Sequence, residues 1–275
     1  MQKNLFSLKD KVVVITGACG LLGRQHADAV AASRGIPILL DLNQETLDHF
    51  VNEIKERYKV DVRGYAVNIT DENAIKENCE LILKIFGKID ALVNNAANNP
   101  KVENSSVINF SRLENFPLDI WEQDLAVGLT GSFLCAKHYG YAISKNNNGG
   151  TIINISSDLG LIAPDQRLYK VEGLPEDQQP VKPITYSIVK AGIIGLTRYL
   201  ATYWAEKNVR CNAICPGGVE NNQDVSFIQE VIKRIPINRM ARIDEYQGLL
   251  IFLLADASSY LNGSIISADG GRSVW

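Results

Sequence analysis

Tyr186 and Lys190 are the residues of this sequence whose types and spacing point most directly to chemistry. Residues four apart in a helix lie on one face, so the lysine ammonium can lie near the tyrosine phenol. The pKa of a free tyrosine is about 10, and a nearby positive charge lowers it by favouring the phenolate. The pair therefore predicts a general acid and base, although the same spacing also occurs by chance in many helices.

A glycine-containing segment, TGACGLLG at residues 16–23, follows an apolar run and precedes a helical stretch. Glycines let a backbone approach a ligand closely, and a helix N-terminus presents free N–H groups and the positive end of its dipole. This context predicts a loop that holds the phosphates of a dinucleotide, with a simple strand–helix turn as the alternative. The predicted contacts in the loop are Gly17, Cys19, Gly20, Leu21, Leu22 and Gly23.

Asp41 ends the next apolar run, eighteen residues after Gly23. A carboxylate at this place can accept hydrogen bonds from the ribose hydroxyls of an adenosine and repels a 2′-phosphate. Asp41 therefore predicts NAD rather than NADP as the cofactor. Arg24, a basic residue beside the loop, is the feature that could favour the phosphate, and we expect it to face solvent instead.

Short β-branched runs that alternate with helical stretches are expected to position these residues. The alternation predicts a doubly wound parallel sheet, a three-layer α/β/α Rossmann fold. No repeat or linker divides the chain, so we predict one domain over residues 1–275. Strands are predicted at residues 11–16, 37–41, 61–68, 89–94, 150–156, 209–215 and 265–268, and helices include 71–86 and 244–255.

The composition excludes several other classes of protein. A net charge of -3 argues against a nucleic-acid binder. No apolar run is long enough to span a bilayer, and residues 1–11 lack an apolar signal core, so we expect no membrane partner and a cytoplasmic location. The five cysteines show no metal-ligand spacing and are odd in number for a disulfide framework, so we predict no metal site.

The motifs together resemble the short-chain dehydrogenase/reductase family over nearly the whole chain. They arrive in the family's order as TGACGLLG at 16–23, Asp41, Asn68 and Ile69, NNAA at 94–97, NISS at 154–157, YSIVK at 186–190, PGG at 216–218 and DGG at 269–271. The resemblance implies an oxidoreductase that interconverts a secondary alcohol and a ketone with NAD(P)(H). It also implies a small-molecule substrate and a homodimer or homotetramer.

The family's functional residues carry over to matching positions. By this resemblance Ser157, the third residue after Asn154, orients the substrate oxygen, and Tyr186 is the general acid and base. Lys190 lowers the pKa of Tyr186 and holds the nicotinamide ribose, while Asn94 stabilises the central sheet. The resemblance adds cofactor contacts at Leu42, Asn68, Ile69, Asn95, Ala96, Pro216, Gly217, Val219 and Asn221.

The chain departs from the family's pattern at Gly128, where members usually have an asparagine that bends a helix and anchors a water in the proton path. Glycine can supply the bend but has no side chain to hold the water. Two interpretations follow: a proton relay rebuilt from other groups, which we favour, or a slower enzyme that relies on hydroxyls of its substrate.

The spacing of the glycines in the loop is a second departure. The spacing of Gly20 and Gly23 is more typical of the sugar-nucleotide branch of the family. The chain is too short for the C-terminal substrate domain of that branch. The glycine spacing leaves a nucleotide-sugar epimerase or dehydratase that retains its NAD as one alternative. Gly128 and the enlarged segments leave a non-catalytic NAD-binding subunit as the other.

Two enlarged segments, residues 98–117 and 163–183, are expected to leave the carboxyl edge of the sheet and to contact substrate. The first carries Lys101 and Asn104, and in the second Arg167 and Lys170 are candidates to bind a phosphate or carboxylate. An oligomer contact or a solvated flap is the alternative. Stretches such as LENFPLDIW at 113–121 resemble a bacterial subgroup associated with surface-polysaccharide or flagellin-glycan biosynthesis. That resemblance implies a sugar, sugar phosphate or nucleotide-sugar substrate.

Overall fold

Seven parallel strands form one sheet in the order β3-β2-β1-β4-β5-β6-β7 in the computed structural model, which describes residues 4–98 and 110–274. The strand order reverses between β1 and β4, and ligands of such sheets bind beyond the carboxyl ends at this switch point. The strands are β1 (Val12–Thr16), β2 (Ile36–Asp41), β3 (Arg63–Ala66), β4 (Ala91–Asn94), β5 (Gly150–Ile155), β6 (Val209–Pro216) and β7 (Ile265–Ala268).

Helices cover both faces of this sheet, which confirms the predicted doubly wound α/β fold. They are α1 (Leu21–Ala32), α2 (Gln44–Tyr58), α3 (Glu72–Phe86), α4 (Leu118–Leu125), α5 (Gly131–Cys135), α6 (Tyr141–Ile143), α7 (Ile184–Tyr203), α8 (Val225–Ile232) and α9 (Gln247–Leu254). Two π-helical turns, Ala126–Thr130 and Ala136–Gly140, join α4, α5 and α6 into one continuous but irregular helix. None of the helices in the described ranges is both long enough and apolar enough to cross a membrane.

Alternation along β1 shows how the sheet separates two cores. Val13 and Ile15 face the core under α1, α2 and α9, whereas Val12 and Val14 face the core under α3 and α7. All four side chains are buried, as expected for a parallel strand covered on both faces. A strand that is apolar on both faces therefore fixes the central position of β1 and the place of the loop that follows it.

The enlarged segment at residues 163–183 is folded rather than extended. Its helical turn Gln166–Tyr169 packs on α8, where Leu168 contributes to a small separate apolar cluster and the Tyr169 ring lies 5.9 Å from the Phe227 ring. Arg112 and Ser111, at the described end of the first enlarged segment, bond to its backbone at Glu176 and Val181. Residues 99–109, including Lys101 and Asn104, lie outside the described residues.

Candidate active site

The glycine loop after β1 has the shape that a diphosphate requires. Gly17 has φ +61°, and a Cβ added there would lie 2.8 Å from Cα of Ala96. A Cβ on Gly23 would lie 2.1 Å from the carbonyl oxygen of Gly17, so a side chain is excluded at both positions. No side chain caps helix α1 at Gly20, and its first turn holds no acidic residue. The free N–H groups at this helix start therefore fit the phosphates of a dinucleotide.

Asn95 holds the loop in place from the neighbouring strand. Its Nδ2 donates to the carbonyl oxygens of Thr16 at 2.9 Å and Gly17 at 3.0 Å. The Thr16 hydroxyl accepts from the backbone N–H groups of Asn95 and Ala96, each at 3.0 Å. These bonds join the ends of β1 and β4, so Asn95 and Ala96 support the loop whether or not they also touch a cofactor.

Asp41 lies at the carboxyl end of β2 with its carboxylate beside the glycine loop. One oxygen accepts from the backbone N–H of Cys19 at 2.8 Å, and the other accepts from that of Leu42 at 2.8 Å. Burial, followed by the charge of Asp41, raises the pKa of the Cys19 thiol to about 11, so this cysteine stays a neutral thiol. Arg24 is turned away to Glu53, 3.3 Å from its guanidinium.

The remaining predicted cofactor contacts lie along the carboxyl edge of the sheet. Asn68 and Ile69 follow β3 closely, and Pro216 ends β6. Gly217 accepts a hydrogen bond from the Tyr246 hydroxyl at 2.9 Å, and Val219 pairs with Ala241 in an isolated parallel bridge. Asn221 is exposed, and its backbone N–H donates to Gln223 at 2.7 Å.

Tyr186, Lys190 and Ser157 converge between α7 and the end of β5. The ammonium of Lys190 donates to the carbonyl oxygen of Ile155 at 2.9 Å and lies 5.9 Å from the centre of the Tyr186 ring. Ser157 begins a helical turn directly after β5, and its hydroxyl donates to Asp158 at 2.8 Å. The end of β5 and the packed helix α7 therefore bring the three side chains predicted as catalytic close together.

Burial controls the electrostatics of this group. It raises the pKa of Tyr186, and the charge of Asp158 adds to that effect, while a hydrogen bond with Ser157 opposes it. Burial also lowers the pKa of Lys190 to about 8. In the protein without a bound cofactor, burial of the phenol therefore outweighs the charges around it, and the role of Lys190 in lowering the pKa of Tyr186 stays a prediction. The arrangement favours the protonated phenol, the form that donates a proton to a carbonyl oxygen.

Lys182 is a polar neighbour of the tyrosine that the spacing of the motifs does not single out. Its ammonium lies 3.9 Å from the centre of the Tyr186 ring, in cation–π contact. Burial lowers the pKa of Lys182 to about 8, with the charge of Asp158 acting in the other direction. Lys182 precedes Tyr186 by four residues but lies outside helix α7, so the rule that residues four apart share a helix face does not apply to this pair.

Arg167, predicted to bind an anionic substrate group, forms an ion pair within its own segment. Its guanidinium forms two hydrogen bonds with Asp165, at 2.8 and 2.9 Å, and its side chain is 77% exposed. Arg234 binds the same carboxylate at 2.7 Å. These bonds hold the pKa of Asp165 well below its usual range. Lys170 is exposed at the surface.

A buried ion pair closes the site on the side of the chain's C-terminal turn. Arg272 lies 2.8 Å from the carboxylate of Asp158, and the two side chains are only 11% and 4% exposed. The other oxygen of Asp158 accepts from the Ser157 hydroxyl and from the backbone N–H of Leu159, each at 2.8 Å. The pair therefore fixes the residue that holds the predicted catalytic serine.

Gly128 lies in the first π-helical turn and packs against the helix that carries Tyr186. A Cβ added at Gly128 would lie 2.3 Å from Cγ1 of Val189. Val189 thus occupies the space that an asparagine side chain would need. The irregular turn supplies the bend expected of this position, and glycine is the residue that allows the close approach.

Substituting Gly128 tests this packing. Gly128→Ala should lower the free energy of unfolding by about 1–3 kcal/mol, because the new methyl group overlaps Val189. Chemical denaturation measures the loss, and Val189→Ala in the same chain should restore much of it. Gly195→Ala on α7 is the matched control, because its Cβ would meet nothing within 4 Å and should be neutral or stabilising. Equal effects at both glycines would contradict the packing described.

Comparison with known proteins agrees with this fold and site. The family model for short chain dehydrogenases matches residues 11–169, and a model described as enoyl-(acyl carrier protein) reductase matches residues 176–273. The chain therefore belongs to the short-chain dehydrogenase family. It is an NAD(P)-dependent oxidoreductase that acts on CH–OH groups.

Individual relatives differ in what they act on. An NADP-dependent mannitol dehydrogenase from Hypocrea jecorina is 32% identical, with 98% of this chain and 94% of the relative aligned. The 3-oxoacyl-[acyl-carrier-protein] reductase FabG of Thermotoga maritima is 30% identical over 96% and 98%. The post-translational flagellin modification protein A of Campylobacter coli is 26% identical over 96% and 98%. The structure of NAD+-bound xylitol dehydrogenase aligns at TM-score 0.80 and 27% identity, covering 96% and 99%.

Proposed function

We propose that the protein oxidises a secondary alcohol of a polyhydroxylated small molecule with NAD, or reduces the corresponding ketone in the reverse direction. The observation that carries the proposal is the convergence of Ser157, Tyr186 and Lys190 at the sheet edge that also carries the glycine loop and Asp41. When bound, the nicotinamide cofactor accepts or supplies the hydride.

The roles of the side chains follow from their surroundings. Tyr186 donates a proton to the carbonyl oxygen in reduction and removes it from the hydroxyl in oxidation. Ser157 holds the substrate oxygen, for which its hydroxyl must turn from Asp158. The ammonium of Lys190 has three N–H groups. One donates to the carbonyl oxygen of Ile155, and the other two can serve the cofactor ribose and the proton path.

The walls near Tyr186 support a polar rather than a lipid-like substrate. Lys182, Asp158 and Arg272 bring three ionisable groups to its surroundings. Asp158 and Arg272 are nearly enclosed, and Lys182 is half-buried. Charged groups at this place favour a substrate with hydroxyl, phosphate or carboxylate groups over an apolar substrate, because hydrogen bonds to charged groups are strong. The mannitol dehydrogenase and xylitol dehydrogenase names among the relatives support the polyol class. Lys182 is a further candidate, beside Arg167 and Lys170, to contact a polar group of the substrate.

A substrate panel tests the reaction. The protein is incubated with NAD and free polyols, sugar phosphates or nucleotide-sugars, and NADH is followed by absorbance, with Tyr186→Phe as the blank. We expect NADH from one class only with Tyr186 present. A new sugar product without net NADH would instead support the epimerase or dehydratase with retained NAD, the second candidate that the Gly20–Gly23 spacing suggests. Binding of NAD without any product would favour the non-catalytic subunit.

The cofactor preference rests on Asp41. We expect the protein to bind NAD at least about tenfold more tightly than NADP, a difference of about 1.4 kcal/mol, because the carboxylate repels the 2′-phosphate. Asp41→Ala should reduce or reverse that ratio in calorimetric titrations. Asp48→Ala, which removes an exposed carboxylate on α2, should leave it unchanged. A preference of the unmodified protein for NADP would overturn the assignment.

Two further expectations stay predictions. Assembly into a homodimer or homotetramer rests on the family, and a cytoplasmic location rests on the sequence. Light scattering of the purified protein measures the first.

A further inference from the structure

Asp124 is a buried acidic residue next to the predicted catalytic group, and the proposed reaction leaves it without a role. It is the single buried residue of helix α4, where an apolar side chain would normally face the core. One carboxylate oxygen, Oδ2, accepts from the Thr185 hydroxyl at 2.5 Å. Thr185 directly precedes Tyr186 at the start of α7, so the bond connects the acid to the helix that carries the tyrosine.

The second carboxylate oxygen lacks the hydrogen bond that burial demands. Within the described residues, Oδ1 of Asp124 is enclosed and has no hydrogen-bond partner. A buried carboxylate oxygen in this state is strongly disfavoured unless a donor reaches it. Because the atom is closed to bulk solvent, that donor must come from inside the protein.

A cleft beside Asp124 can supply it. The cleft has a volume of about 10 Å³, which is about the space that a single water molecule needs, and it is partly open to solvent. The residues that line it include Asp124, Gly128, Lys182, Tyr186 and Lys190. The missing side chain of Gly128 leaves the backbone as the lining at that point. Its lining thus includes one acidic residue, two lysines and the tyrosine.

We propose that Asp124 is a positioning residue for proton transfer, holding a water in this cleft and carrying protons between the Tyr186–Lys190 pair and bulk solvent. The proposal rests on the proposed oxidoreductase function. In oxidation the substrate O–H bond breaks and its proton joins the Tyr186 oxygen, while the electron pair of the C–H bond leaves as the hydride. The proton then moves through Lys190, which gives one proton and regains one, to the water and to Oδ1. Oδ1 returns the proton to the water in the cleft, which passes it to bulk solvent through the open part of the cleft, and reduction follows the reverse path.

The test uses an isosteric variant that keeps the shape and removes the proton. Asp124→Asn should lower kcat about tenfold or more while KM and the NAD dissociation constant change little, since a relay acts on proton transfer alone. The solvent deuterium isotope effect on kcat should increase. Asp124→Ala should regain activity with added acetate, because a small carboxylate can enter the vacated space. Asp119→Asn, an exposed acid on the same helix, is the matched control.

Several results would overturn the proposal. One is wild-type kcat and an unchanged isotope effect in Asp124→Asn. Another is a loss of activity with a lower melting temperature, an unchanged isotope effect and no rescue by acetate, which would show that Asp124 only ties α4 to α7.

A second readout does not need turnover. A high-resolution crystal structure of the NAD-bound protein should show a water within hydrogen-bond distance of Oδ1 of Asp124. A dry cleft would overturn the proposal even if the enzyme is active. If this water is present but no substrate is turned over, the result would contradict the proposed function and still support the water site at Asp124.

Discussion

Tyr186→Phe should lower kcat by about two to four orders of magnitude, because the phenol is the group that exchanges a proton with the substrate oxygen. The variant keeps the ring, which packs under the Lys182 ammonium, so the fold and the affinity for NAD should change little. Steady-state kinetics together with calorimetric NAD titration separate these two effects.

The matched control is Tyr203→Phe, which removes the hydroxyl of an exposed tyrosine on the same helix. It should leave kcat at the wild-type value. Tyr186→Phe with more than a tenth of wild-type turnover would remove the tyrosine from the chemical step. A variant that loses NAD binding as well would point instead to a structural role in the cofactor site.

Arg272→Met should have the largest effect on stability, lowering the free energy of unfolding by about 3–5 kcal/mol. The substitution leaves the Asp158 carboxylate buried without its counter-charge, and a buried unpaired charge is far more costly than a lost surface contact. The double variant Asp158→Asn and Arg272→Met should recover most of the loss, because the remaining amide is neutral. Denaturant unfolding measures all three proteins.

Arg242→Met supplies the comparison for a surface pair. Arg242 lies 3.5 Å from Asp244, and its side chain is 67% exposed, so its removal should have little effect on stability. If Arg272→Met and Arg242→Met destabilise the protein equally, the buried pair does not hold the C-terminal turn against the active site.

The fold was readable from the sequence because its determinants are local and repetitive. β1 is buried at every position and apolar from Val12 to Ile15, and backbone geometry excludes side chains at Gly17 and Gly23 in the following loop. Boundaries shifted by a few residues. Residues 61–62 and 67–68 were predicted as parts of a strand but lie outside β3, where the pairing with β2 covers only four residues.

The surroundings of the site were less readable, because they depend on contacts between distant segments. Asp158 and Arg272 are 114 positions apart, and Asp124 meets Thr185 across 61 positions. No spacing rule connects such residues in a single sequence. The pairing of Arg167 with Asp165 joins residues only two positions apart, and the predicted role of Arg167 in binding an anionic group stays a prediction.

Direct transfer of deuterium is the measurement that most directly tests the central claim, that hydride passes between a secondary carbinol of the substrate and NAD. Deuteride reduction of ketoses gives polyols that are deuterated at a carbinol carbon. These polyols are incubated with the protein and NAD, and the mass of the NADH is measured by mass spectrometry. We predict NADH that carries one deuterium and a ketone product, both absent with Tyr186→Phe. Unlabelled NADH, or a sugar product with the deuterium retained and no free NADH, would contradict the proposed oxidoreductase reaction.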